Sequence, residues 1–130
     1  MHKTWNRNQT DRSRVNDEVW ILVNPILNSY VDMDPQTNQH KKAYNMKLMC
    51  REIIDNIFQY TGALTFSLDL EVINNIAHLE IVHNGRIYDY FSETSECKLL
   101  KKIKDDLNFT TPHTLTDSPK FKLKLTYSLI

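Results

Sequence analysis

Glu52 and Asn56 stand four residues apart in the run MCREIIDNIFQYTG, residues 49–62. Positions i and i+4 share one face of a helix. A carboxylate and a carboxamide oxygen placed there can converge on one ion or one water. The same pair also suits two polar positions on an exposed helix face. Asp55 lies about 100° around the helix, which predicts a solvated carboxylate. The second candidate is His83, in the run IVHNGRIYD, residues 81–89. A neutral imidazole offers one acceptor nitrogen and a protonated one offers none. A histidine at a strand end before a turn serves structure equally well. Asn84-Gly85 behind it is a strong hairpin-turn signal. Gly85 and Gly62 are the only two glycines. Loops that wrap phosphate groups rely on glycine for close backbone approach and positive φ, and this chain has almost none to supply.

The elements that must position these residues follow from periodicity. Residues 2–8 read as a short edge strand around Trp5, the alternative being that residues 1–10 are disordered. From Asp11, the positions Val15, Val19, Leu22, Val23, Ile26, Leu27 and Tyr30 give one apolar helical face. Pro25 falls inside it and predicts a kink or a split. Residues 33–39 read as a loop. A second helix is predicted over 40–60, with Ala43, Met46, Cys50, Ile53, Ile54, Ile57 and Phe58 as its stripe. Thr61-Gly62 ends it, Gly62 taking the left-handed conformation.

Strict alternation in ALTFSLDLEV puts Leu64, Phe66, Leu68, Leu70 and Val72 on one face of a half-buried strand. Ile73-Asn74-Asn75 reads as a turn. A second strand follows, with Ala77, Leu79, Ile81 and, by parity, His83 facing the helices. Residues 86–91 read as a third strand. Ser92, Thr94 or Ser95 then caps a helix bearing Leu99, Leu100, Ile103 and Leu107, with Glu93 and Glu96 near its positive end. FTTPHTLTDSP reads as a polar loop. The chain closes on an alternating strand with Phe121, Leu123, Leu125, Tyr127 and Leu129 inward and Lys120, Lys122 and Lys124 outward. Such a lysine stripe serves as a solvated edge that deters strand-to-strand aggregation, or as a docking surface. Trp5 and Trp20 read as core or dimer packing. The predicted class is α+β: a two-layer sandwich, helices on one face of a mostly antiparallel sheet, in a single domain over residues 1–130.

Composition narrows the function classes. At 130 residues, with 41% hydrophobic and 25% charged residues, the chain suits one soluble core. Lys plus Arg equals Asp plus Glu at 16 each, so no basic field draws nucleic acid or an anionic membrane. No apolar run reaches the roughly 20 residues of a membrane helix. The start, MHKTWNRNQT, has no signal-peptide segment, and the expected location is the cytoplasm. Cys50 and Cys97 are expected as reduced thiols. The five histidines show no metal-ligand spacing.

The order of elements and the two motifs together resemble the ATP-binding fold of the GHKL superfamily, that of gyrase, Hsp90, histidine kinases and MutL. Within it, the chain is most similar to bacterial anti-sigma-factor serine kinases, over roughly residues 11–130. Glu52 and Asn56 match the family's Glu and Asn on the second helix. The resemblance implies Glu52 as general base and Asn56 as a Mg²⁺ holder on bound nucleotide; Tyr60 stands where the family often has a histidine. His83-Asn84-Gly85-Arg86-Ile87 lies where the family has Asp-x-Gly-x-Gly, whose Asp accepts the adenine amino group. Gly85 matches; the Asp and second Gly do not. FSETSECKLL, at the place of the glycine-rich lid, has no glycine.

The resemblance therefore implies a bacterial regulatory protein that acts mainly by binding a protein partner, sigma-factor-like or anti-anti-sigma-like, with Mg-ATP binding weak or lost. A homodimer is plausible by analogy with the family. The rival is an active kinase with Glu52 as base, Asn56 on Mg²⁺ and His83 or a backbone group on adenine, phosphorylating a partner on Ser or Thr. A third reading is an unrelated α+β interaction module.

Overall fold

The computed structural model describes residues 1–31, 37–86, 98–103, 107–115 and 121–130. The elements are β1 (His2–Asn6), a 3-10 turn (Arg7–Gln9), α1 (Arg12–Val31), α2 (Asn38–Tyr60), β2 (Thr65–Ile73), β3 (Ile76–His83), α3 (Lys98–Ile103), β4 (Leu107–Leu115) and β5 (Phe121–Ser128). The five strands form one sheet in the order β1-β2-β3-β5-β4, every neighbour antiparallel. Helices α1 and α2 pack on each other and on the sheet, so the α+β architecture expected from the pattern is the one observed.

The apolar periods become one core. From α1 come Val15, Val19, Val23 and Leu27; from α2, Ala43, Met46, Met49, Cys50, Ile53, Ile54 and Ile57; from the sheet, the alternating residues of β2, β3 and β5. Asp11 caps α1, its Oδ1 accepting from Arg14 N–H at 2.9 Å. The helix runs unsplit through Pro25. Pro25 and Ile21, whose carbonyl loses its donor, both lie on the solvent side, Ile21 being 67% exposed, so water can satisfy that carbonyl. Thr37 caps α2 through His40 N–H, and Gly62 follows its end at φ +69°. Asn74 and Asn75, at φ 51° and 63°, make the tight hairpin turn between β2 and β3.

Four expectations are corrected. Leu64 is 53% exposed and precedes β2 instead of joining its inner face. Leu107 and most of the predicted polar loop form β4, and Leu107 is not on α3. The ladder of β4 on β5 breaks between Phe109 and Thr111 and again between Thr111 and Thr114, around Pro112. Such a strand is tolerated at a sheet edge, where a missing donor faces outward. Its polar sequence hid it because the pairing partner, not its own pattern, makes it a strand. The lysine stripe is not an edge: β5 lies between β3 and β4, and Lys122 and Lys124 reach Glu80 of β3 at 3.1 and 3.6 Å.

The fourth correction concerns Asn84-Gly85. A two-residue hairpin would need a free edge beside His83. Both edges are taken, by Phe66 of β2 and Phe121 of β5. Arg86 N–H instead donates to Thr61 O at 3.0 Å, leading the chain toward the end of α2. The third strand predicted over 86–91 and the caps at Ser92, Thr94 and Ser95 lie outside the described residues, Arg86 apart, which is not in a strand.

Candidate functional site

The candidate residues sit where α2 ends and β3 arrives. Helix α2 is buried along the face that the sheet and α1 cover, and Asn56 lies at the margin of that face. Asn56 is therefore 2% exposed, not a position on an open helix face. Glu52, one turn earlier, has a side chain 26% exposed and a 3.4 Å contact with Arg51. The spacing puts the two on one stripe, but tertiary packing gives them different surroundings.

His83 ends β3 facing the helices, as parity required, and is 1% exposed. Its ring stacks on Phe121 at 4.8 Å between centroids. Burial lowers its pKa to about 4, so the ring is neutral near pH 7. Its Nδ1 accepts from Gly85 N–H at 3.1 Å, which places the ring proton on Nε2. The acceptor nitrogen of the neutral imidazole is thus engaged by the chain's own backbone.

Gly85 earns its place by close approach. A Cβ there would lie 2.5 Å from Thr61 O and 2.8 Å from Ala63 N. Asn84 completes the junction. Its Oδ1 accepts from Leu64 N–H at 2.8 Å and Thr65 N–H at 3.0 Å, and its own N–H donates to Thr65 O at 3.2 Å. These bonds fasten the end of β3 to the start of β2.

The carbonyl end of α2 is closed by residues that periodicity does not mark. Helix termini leave carbonyls without partners, and basic groups favour the negative end. Arg7 donates through Nη2 to Phe58 O and through Nε to Ala63 O, its guanidinium 4.3 Å above the Phe58 ring. Arg86 Nε donates to Tyr60 O at 2.9 Å, and Thr61 Oγ1 donates to Ile57 O at 2.7 Å. Both arginines act from beyond strand ends distant in sequence, so only the tertiary fold pairs them with the helix.

Asp55 also departs from expectation. It is not solvated: its side chain is 12% exposed and accepts from Arg12 at 2.7 and 3.0 Å, Asn16 at 3.2 Å and Gln59 at 2.8 Å. Burial raises its pKa, but the hydrogen bonds from Arg12 and Asn16 and the Arg12 charge outweigh that and hold it below the usual carboxylate value. Along the same α1–α2 seam, Lys47 and Arg51 lie over the Trp20 ring at 4.9 and 5.2 Å. Trp5 is core, stacked on Phe66 at 5.6 Å with its Nε1–H on Glu18.

Away from these residues, a shallow cavity of about 630 Å³ opens on the outer sheet face, lined by His2, Asp69, Glu71, His78, Glu80 and Lys124 among others. A smaller one of about 140 Å³ lies beside Thr65, His83 and Asn84. Among the described residues, no three His, Cys, Asp or Glu side chains are placed to hold a metal ion, and no helix is long and apolar enough to cross a membrane.

No family model matches the sequence, and none of the curated proteins does. Sixteen solved chains are similar in structure. One is the Acinetobacter baumannii histidine kinase AdeS, with a TM-score of 0.50 and 12% identity, over 99% of this chain and 68% of that one. At that identity the likeness is one of fold: the chain has an α+β architecture consistent with a histidine-kinase-like fold.

Proposed function

We propose that this chain is a regulatory protein on a kinase-like fold that acts by binding a protein partner, with Mg-ATP binding weak or lost. The observation that carries the reading is the engagement of His83. At the position where the resembled anti-sigma-factor serine kinases present an acidic acceptor to adenine, the Nδ1 acceptor is turned onto Gly85 N–H and the ring is stacked under Phe121. Gly85 is packed against Thr61 and Ala63, which accounts for the glycine without a ligand. Asn56, the residue that would hold Mg²⁺ on the nucleotide, is buried in the core layer, and Glu52 faces Arg51. These residues do not fit the nucleotide as they stand, and phosphoryl transfer depends almost wholly on positioning and charge neutralisation around the phosphates.

The partner class, sigma-factor-like or anti-anti-sigma-like, rests on the resemblance alone, as do the bacterial, cytoplasmic and homodimeric assignments. Calorimetric titration with Mg·ATP tests the reading. The expected result is no binding tighter than about 100 μM, equivalent to about −5.5 kcal/mol. Tighter binding that is abolished by Asn56→Ala would overturn it in favour of an active kinase using Glu52 as base and His83 and Gly85 at the adenine.

A further inference from the structure

The sheet ends on β1, and the bonding parity of that strand leaves a row of backbone groups unused. Met1 N donates to Leu70 O at 3.1 Å, and Leu70 N–H donates to Met1 O at 3.0 Å. Past the other end of the strand, Arg7 N–H donates to Leu64 O at 2.8 Å. Bonded and non-bonded positions alternate along an antiparallel pair. Lys3 and Trp5 therefore turn their N–H and C=O groups to β2, while His2, Thr4 and the Asn6 N–H turn outward. Among the described residues, nothing pairs with the outward backbone groups of His2 and Thr4. Such a row is a template for one more strand. A hollow of about 210 Å³ lies beside this edge, toward α1, lined by Lys3, Trp5, Asn6, Gln9, Arg14 and Glu18 among others. Its charge is unbalanced. Lys3 Nζ lies 3.8 Å and Arg14 Nε 3.5 Å from the Glu18 carboxylate, which also accepts from Trp5 Nε1 at 2.9 Å. Two cations thus share one carboxylate on which an indole already draws, and the Arg14 side chain is 67% exposed.

We propose that the free edge of β1 takes an extended acidic segment of the protein partner as a further strand of the sheet, with one of its carboxylates over Lys3 and Arg14. The inference deepens the partner-binding reading above and rests on it. A segment bonded to the outward groups of His2 and Thr4 sends alternate side chains to opposite faces of the sheet. Its residues opposite His2 and Thr4 lie on the outer face, and those opposite Lys3 and Trp5 face the hollow. Directly opposite residues stand about 5 Å apart at Cβ, so a glutamate opposite Lys3 brings its carboxylate to the Lys3 and Arg14 cations. The backbone bonds hold such an added strand, and the side chains that enter the hollow select it. A second copy of this chain is the poorer occupant. Antiparallel pairing of two β1 strands about Thr4 would set Lys3 of each copy opposite Trp5 of the other. It would add a second cationic excess to the first instead of balancing it.

The test is amide NMR of the full chain, titrated with capped peptides that alternate threonine with glutamate or threonine with lysine. The glutamate peptide is expected to shift the His2, Thr4 and Asn6 amides first. The lysine peptide should bind about tenfold more weakly, since it exchanges an attractive cross-strand pair for a repulsive one. Shifts centred elsewhere, or equal affinity for the two peptides, overturn the proposal. Thr4→Pro removes an outward donor and no bond to β2, and an edge strand tolerates proline at such a position. The variant should fold and lose the glutamate peptide; a folded variant that binds as before refutes the edge. If circular dichroism shows it unfolded, Arg14→Glu takes its place. That change should weaken the glutamate peptide and strengthen the lysine peptide, and an unchanged preference counts against the proposal. A free chain that sediments as a dimer, and that Thr4→Pro splits, would give the edge to a second copy and also overturn it. These outcomes are separate from the Mg·ATP titration, where tight binding refutes the regulatory reading whatever the edge of β1 does.

Discussion

Replacing Gly85 by alanine measures how tightly the β3 end is packed on the end of α2. The added Cβ would sit 2.5 Å from Thr61 O, about 0.9 Å inside the 3.4 Å at which ordinary contact begins, and 2.8 Å from Ala63 N. Both are backbone atoms, so no flexible side chain can swing away. Relief requires the segment to lift. Lifting breaks the Arg86 N–H bond to Thr61 O and the Gly85 N–H bond to His83 Nδ1. Two such bonds are worth about 1 kcal/mol each, and residual overpacking adds about 1 kcal/mol or more, so the expected loss is about 3 kcal/mol. With an unfolding entropy near 2.1 cal/mol/K per residue, that lowers the melting temperature by roughly 10 °C. Gly62→Ala is the internal control: its φ is +69° and nothing lies within 4 Å of its Cβ. It should cost only the left-handed penalty of about 1–2 kcal/mol. Urea melts of both variants decide the matter. If Gly85→Ala costs no more than Gly62→Ala, the close approach is not what requires glycine at residue 85.

Three other outcomes follow from buried titratable groups. His83 has a folded pKa of about 4 against an ordinary 6.5, so its contribution to stability is complete above about pH 6.5 and is lost as pH falls toward 4; chemical denaturation across that window should show the slope, and His83→Phe should remove it. Asp55 is held low, so it adds stability above its ordinary value near 3.9 that is lost as pH falls further. Asp55→Ala should cost about 1–2 kcal/mol at neutral pH, since Arg12 stays half-exposed and water replaces part of the bond; an unchanged urea midpoint would show that the α1–α2 seam is held by packing alone. Cys50 is fully buried and its thiol is pushed up to about 12; site-resolved thiol labelling should leave it unmodified until the chain unfolds, and rapid modification in the native state would contradict its burial.

Periods of 3.6 and 2 are local properties, and they were sufficient for α1, α2, β2, β3 and β5, for the inward parity of His83 and for the cap at Gly62. The apolar residues in these elements are dense enough that any compact arrangement buries the same faces. Strand β4 is illegible because its middle, Thr110 to Thr114, is polar and contains Pro112; β5 supplies the pairing that makes it a strand. The Asn84-Gly85 turn signal fails for the opposite reason. The dipeptide favours a hairpin in isolation, but β2 and β5 occupy both edges of β3 before a hairpin can form. The same contrast governs the candidate site. Residue spacing put Glu52 and Asn56 one helical turn apart and gave His83 its direction. Exposure of Glu52, burial of Asn56, the hold of Asn84 on Leu64 and Thr65, and the Arg7 and Arg86 caps all depend on groups distant in sequence. Hydrogen bonds and burial are set by which segments meet, and no local period carries that information.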